Sequence, residues 1–129
     1  NGRWWSVHRK VYVRRLNTFF GRGGGSADER LASLDDGLLV GRALNGMEDP
    51  KGWGIQIWTN YAREYRHGKP TGVVYAPVAM TGYVPDVLAD VSMVADNFEI
   101  TPGTCGKGWK ELVPNGAGGP YVRTRLRLA

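Results

Sequence analysis

Thirteen residues, Trp53 to Tyr65, alternate in a way that only an extended chain can use. Trp53, Ile55, Ile57, Thr59, Tyr61, Arg63 and Tyr65 share one parity. Gln56, Trp58, Asn60, Ala62 and Glu64 take the other. A strand sends successive side chains to opposite faces, so this run predicts one long strand. His67-Gly68-Lys69-Pro70 supplies a turn after it, and Thr71 to Pro77 (TGVVYAP) returns as a second strand, giving a hairpin. Trp53 and Trp58 fall on opposite faces of the long strand, so at least one of them has to be covered by a second surface.

The flanking segments follow the same logic. Val7 to Leu16 (VHRKVYVRRL) places Val11 and Val13 on one face and Lys10, Tyr12 and Arg14 on the other, as a half-buried strand does. Ser26 and Glu29 have capping-box spacing, with Asp28 and Glu29 at the positive end of a helix dipole. Leu31 and Leu34 form a short apolar face, and Gly37 stands where a left-handed cap would end the helix, so a helix is predicted over Ala27 to Asp36. Leu38 to Leu44 reads as a strand and Asn45 to Gly52 as a turn. A second helix is predicted from Tyr83 to Ala95, with Pro85 in its first turn and Val84, Val87, Leu88, Val91 and Val94 as its buried stripe. Phe98 to Ile100 is a short extended piece. Thr101 to Gly108 is a glycine-flanked loop, Lys110 to Val113 a brief pairing segment and Tyr121 to Leu128 a final strand. Hairpins outnumber βαβ crossovers. The expected fold is therefore α+β, a mostly antiparallel sheet with two short helices in a single domain over residues 1–129.

Composition excludes several classes. With 42% hydrophobic and 11% aromatic residues the chain is not a disordered segment, and it has no apolar run of the ~18 residues that span a bilayer. The single cysteine, Cys105, rules out an intrachain disulfide and suits a reducing compartment, hence a cytoplasmic location. The formal charge of +5 is concentrated in Arg3 to Arg22 and in Arg123, Arg125 and Arg127. A nucleic-acid footprint is one reading of those termini. The alternation of the charges with apolar residues favours ordinary strands with one wet face.

Other features have bland readings. Gly21 to Gly25 (GRGGG) lacks P-loop spacing and the Lys-Ser/Thr ending, so it is a connector. Asp35-Asp36 and Glu48-Asp49 are solvated acids at a helix end and a turn, and the tryptophans are core or interface anchors rather than base-stacking platforms. His8 and His67 do not form an H-E-x-x-x-H or H-x-x-x-H pattern and read as surface or turn residues.

From Asp90 to Gly108 the chain becomes specific. The run DVSMVADNFEITPGTCGKG, with Val91, Val94, Asp96 and Asn97 before Gly103-Thr104-Cys105-Gly106-Lys107, resembles the "V-x-x-V-G-N-D" and "G-T-C-G-K" signature of the TldD/PmbA family, also called the modulator-of-DNA-gyrase family. Val113, Pro114, Gly116, Gly119 and Pro120 are similar to its "V-P-V-G-x-G-x-P" segment. RRLNTFFGRGGG resembles its "R-M-x-N-T" segment, and the HGKP turn its "E-N-G-K" hairpin, so the resemblance runs from Arg14 to Leu128. Ala95 and Asp96-Asn97 depart from the Gly-Asn-Asp order, and Trp109-Lys110-Glu111 from an acidic-glycine-glutamine stretch.

The resemblance implies a TldD-like C-terminal domain of a zinc metallopeptidase acting on unfolded peptides. In active members a helix bearing His-Glu-x-x-x-His supplies two imidazoles, and the cysteine of G-T-C-G-K completes the protein ligands. Cys105 is then the metal ligand, and Gly103, Thr104, Gly106 and Lys107 form its supporting loop. This chain does not contain the histidine helix. The resemblance therefore implies an incomplete zinc site, inactive alone, with the histidines coming from an upstream segment or another chain. It also implies a TldD/PmbA-type partner subunit in a heterodimer. The alternatives are a non-catalytic PmbA-like subunit and a basic nucleic-acid-binding module.

Overall fold

The computed structural model describes residues 2–3, 12–13, 17–105 and 113–129. The expected α+β architecture is the one observed, with two short helices and sheets that are antiparallel except for one pair. The strands are β1 (Gly2–Arg3), β2 (Tyr12–Val13), β3 (Asn17–Phe19), β4 (Asp36–Glu48), β5 (Gly54–Arg66), β6 (Lys69–Tyr75), β7 (Val78–Tyr83), β8 (Met93–Val94), β9 (Glu99–Cys105), β10 (Val113–Gly119), β11 (Val122–Arg123) and β12 (Arg127–Leu128). The helices are α1 (Ala27–Ala32) and α2 (Val84–Ala89). Of the segment Val7 to Leu16, only Tyr12–Val13 lies among the described residues, where it pairs with Gly2–Arg3.

Strand β5 is the spine. Along one side it pairs with β4; along the other it pairs first with β7, from Gly54 to Thr59, and then with β6, from Ala62 to Arg66. The turn into β6 is tighter than HGKP suggested. His67 and Gly68 both take positive φ, and Lys69 and Pro70 already belong to the returning strand. Two left-handed residues match the twist of the strands they join. The tip then docks on the end of α1, where His67 N donates to Asp35 O and Gly68 N to Leu34 O.

Four expected boundaries were wrong, each because a pairing partner outcompeted a local signal. Helix α1 keeps its capping box, in which Ser26 Oγ accepts from Glu29 N and Glu29 Oε2 from Ser26 N. It ends at Ala32 instead of Asp36, since the hairpin tip takes the carbonyls beyond it. Asn45-Gly46 does not turn. The facing residues Trp58 and Ile57 hold it in β4 beyond a bulge near Leu44, and the turn falls at 49–53, where Asp49 Oδ1 accepts from Lys51 N. The second helix stops at Ala89, because Met93–Val94 pairs with β11 and Ala95 N donates to Tyr121 O. Tyr121 to Leu128 is two strands in two sheets, β11 on β8 and β12 on β7, and β7 was not foreseen at all.

Among the described residues the buried cluster is Ala62, Val78 and Met80, with Leu38, Val40, Ile57 and Leu126 packed around them, and Ala95 is buried apart from it. Thr59 is also buried, and its hydroxyl donates to Val78 O. Trp53 is not on the strand. It precedes β5 with positive φ and is 58% exposed, while Trp58 is half-buried. The GRGGG connector has a packing reason for its composition. Gly23 N donates to Ala95 O, Asp96 N donates to Gly25 O, and a side chain at Gly23 would collide with the Val94 carbonyl.

Candidate functional site

Cys105 is the last residue of β9, and this corrects the expected glycine loop. Gly103, Thr104 and Cys105 are strand residues paired with Asn115, Pro114 and Val113 of β10. Gly106 and Lys107 lie outside the described residues, as do His8 and Trp109 to Glu111. The three-stranded sheet has the order β3-β10-β9, with β3 parallel to β10 and β9 antiparallel to it. Pro114 is tolerated in the middle strand because β3 spans only Gly116 to Gly118, so no ladder bond on that side is lost.

The register sorts the residues into two faces. Directly paired residues share a face, and so do residues two apart along a strand. Phe19, Gly118 and Ile100 make one row of the first face. Asn17, Gly116 and Pro102 make the next, followed by Pro114 and Thr104. Phe98 belongs to this side too, edge-to-face against Phe19 at 5.2 Å between centroids, with the Arg22 guanidinium 5.6 Å from its ring. The second face carries Thr18, Ala117 and Thr101, then Asn115 and Gly103, then Val113 and Cys105. Two contacts confirm the sorting. A Cβ on Gly116 would lie 3.0 Å from Ile100 Cγ2, and one on Gly103 would lie 3.0 Å from Asn115 Oδ1.

Cys105 therefore shares its face with small and polar residues and with Val113 directly opposite it, while Phe19, Ile100, Pro102 and Pro114 lie on the other face together with Asn17 and Thr104. It is half-buried and unpaired as a thiol. Thr18, Thr101 and Gly103 are exposed, so this face is open along its length. Glu99 shares the face but lies six residues away, about 20 Å along an extended strand. No group of three or more His, Cys, Asp or Glu side chains converges on one point among the described residues. His67 is remote in the hairpin turn, 2.7 Å from Asp35 Oδ1 through Nδ1, with both side chains more than four-fifths exposed. As a donor set this chain thus offers a metal one soft ligand. A lone thiolate cannot hold zinc against water and protons, so the group fits only with ligands from elsewhere.

A second constellation escaped sequence reading. Glu64, its side chain 16% exposed, lines a cavity of about 400 Å³ together with Asp36, Leu38, Arg66, Tyr75 and Pro77. Its carboxylate accepts from Thr71 Oγ1 at 2.8 Å, Tyr75 OH at 3.2 Å and Arg66 Nη2 at 3.2 Å. The Thr71 hydroxyl, then the Arg66 guanidinium, hold the carboxyl below its ordinary range, and the same pair raises Arg66. With three donors in place the carboxylate is satisfied, and it reads as a pin across the hairpin. The sequence did not show it, because a register shift between Arg63 and Tyr65 is what brings Tyr75 opposite Ala62 and so diagonal to Glu64. The C-terminal arginines do not form a uniform stripe. Arg123 is tied to Ser92 Oγ and the Ser33 carbonyl, leaving Arg125 and Arg127 exposed.

The sequence profile of the PmbA/TldA metallopeptidase C-terminal domain matches residues 1–127. The chain belongs to the TldD/PmbA family. The similarity begins at the first residue, earlier than the Arg14 that the motifs suggested. A metalloprotease of Synechocystis sp. is 32% identical over 129 residues, covering 97% of this chain and 27% of that protein. A metalloprotease of Methanocaldococcus jannaschii is 32% identical over 124 residues, covering 96% of this chain and 27% of that protein. The crystal structure of TldE from Thermococcus kodakarensis superposes with a TM-score of 0.67 at 18% identity, covering 92% of this chain and 24% of that one. At that identity the superposition shows the TldD/PmbA fold. The chain spans about a quarter of the length of these relatives. No helix among the described residues is long and apolar enough to cross a membrane.

Proposed function

We propose that this chain is the cysteine-bearing C-terminal part of a zinc-dependent peptidase acting on extended, unfolded peptides, with Cys105 as one metal ligand. The observation that carries the reading is the placement of Cys105: a half-buried thiol at a strand end, on the open polar face of its sheet, in a family whose relatives are named metalloproteases. A structural cysteine would sit on the apolar face among Phe19 and Ile100. Two imidazoles from the remainder of the protein or from another chain would complete a three-ligand site with a fourth position for water. Zinc supplies a water of near-neutral pKa and polarises the peptide carbonyl. Cys105 would enter as thiolate, and the neighbouring small face would hold the peptide clear of bulky side chains.

The apolar face of the same sheet, with Phe19 and Ile100 about half exposed, is the surface that the protein's other domains or a TldD/PmbA-type partner subunit would cover. The lone thiol accords with a cytoplasmic, reducing setting. The test uses the intact protein. Cys105→Ser is expected to lower bound zinc, measured by mass spectrometry, by at least tenfold, and to abolish hydrolysis of an unstructured peptide. Full zinc content and full turnover in that variant would end the ligand assignment. No bound zinc and no turnover in either form would move the protein to the non-catalytic subunit reading.

A further inference from the structure

We propose that the apolar groove between the five-stranded sheet and helix α1 binds an aliphatic carboxylate, its chain in the groove and its head at Arg123 and Arg125. The site stands apart from Cys105 and does not depend on a metal.

The groove has a volume of about 660 Å³. Leu38 and Val40 of β4 and Met80 of β7 line one wall; Leu31 of α1, Leu34 just beyond it and Met93 of β8 line the other. Two layers that face each other through such side chains normally close to crystal-like density. Here Met80 is buried and the other five are only half-buried. Every residue lining the groove lies among the described residues. Its second wall is tied in place. Gly68 N donates to Leu34 O, His67 N to Asp35 O and Arg123 Nη1 to Ser33 O, so the end of α1 is bonded to the hairpin tip and to β11. An opening of this size with mostly apolar walls falls within the range of small-molecule sites.

The rim selects the head group. Arg30, Arg123 and Arg125 line the groove against one carboxylate, Asp36. Arg30 and Arg123 are half-buried and held, the first by Gly24 O at 2.9 Å and the second by Ser92 Oγ at 2.9 Å, each through Nε. Arg125 is exposed. Arg123 and Arg125 also line a neighbouring cavity of about 560 Å³, to which Asp35 and Asp90 belong. Asp35 Oδ1 is 2.7 Å from His67 Nδ1. The arginine-lined end of the groove is thus where a chain lying in it reaches water. A guanidinium meets a planar carboxylate there through paired N–H donors. A cationic head would face three guanidinium groups instead.

The experiment is a calorimetric titration of the intact protein with dodecanoate, decanoate and dodecylamine, each below its micelle-forming concentration. Dodecanoate should fill one saturable site. Decanoate should bind about tenfold more weakly, because two methylenes leave the groove. Dodecylamine should bind at least tenfold more weakly than dodecanoate. Arg125→Glu should cut the dodecanoate-to-dodecylamine ratio at least tenfold, and Leu34→Trp, which fills the groove, should weaken both ligands. Should the tryptophan variant fail to fold, Arg125→Glu decides, since it changes an exposed side chain. A head-group ratio unchanged in Arg125→Glu overturns the proposal. So does the absence of saturable dodecanoate binding, which would mean that other parts of the intact protein fill the groove.

Discussion

Gly23 shows how a residue that looks like filler is fixed by its neighbours. Its N–H is bonded to Ala95 O, and the Val94 carbonyl occupies the place of a Cβ. Backbone cannot step aside as a flexible side chain can. Gly23→Ala should therefore cost about 2 kcal/mol, read as a lower urea midpoint at unchanged slope. Glu64 has a different signature. Its folded carboxyl is held below its unfolded value by Thr71 and Arg66, so its contribution is present above the unfolded pKa and lost as pH falls through the folded one. The stability gap between the protein and Glu64→Gln should accordingly be constant near neutrality and close in acid below about pH 4.5, followed by denaturant titrations at several pH values. A gap independent of pH down to complete unfolding would show that the carboxylate charge plays no part. Cys105 was legible in the sequence through its glycine-flanked motif. The pairing of Cys105 with Val113 was not, because Thr101 to Gly108 reads as a loop and only the strand register reveals it.

At the scale of elements, success and failure followed who supplied the partner. The cap of α1 is local, so its letters sufficed. Ser26 and Glu29 satisfy one another across three residues, and Ser26→Ala should cost about 1 kcal/mol by thermal or urea unfolding. The β5–β6 hairpin was also written locally, in an alternating strand and a His-Gly turn. Its docking was not. Gly68 has φ +72, and a Cβ there would strike the Ala32 carbonyl at the end of α1. Gly68→Ala combines a disfavoured left-handed backbone with that clash, so its cost should exceed 1 kcal/mol, with protection of the α1 amides falling in hydrogen exchange. Asn45-Gly46 reads as a turn by every local rule, but β5 is thirteen residues long and offers ladder partners as far as Ile55. Met93 and Val94 fit a helical stripe equally well, and were taken by β11 instead. Local propensity decides an element only where no long-range ladder competes for the same backbone.

At the scale of the whole molecule, the division between the two faces of the β3-β10-β9 sheet organises the functional reading. One face gathers Phe19, Phe98, Ile100, Pro102 and Pro114 with Asn17 and Thr104; the other is mostly small and polar through Thr18, Thr101, Gly103, Asn115 and Cys105, with Val113 beside the cysteine. In the proposed reading such a sheet would lie between the packed remainder of the protein and a wet cleft, with the thiol on the cleft side. Phe19 and Ile100 remain 51% and 50% exposed, and in the proposed reading the rest of the protein or a partner subunit would cover them. Placing one carboxylate at adjacent positions on either face tests this directly in the intact protein. Ile100→Asp should cost about 3 kcal/mol or drive the protein into aggregates, because an unpaired charge would be trapped against apolar surface. Thr101→Asp, one residue along the same strand, should stay within ~0.5 kcal/mol of the parent, as substitutions facing water do. Equal tolerance at both positions would mean that neither face is packed, and the polar face would no longer distinguish itself as the wall of a cleft.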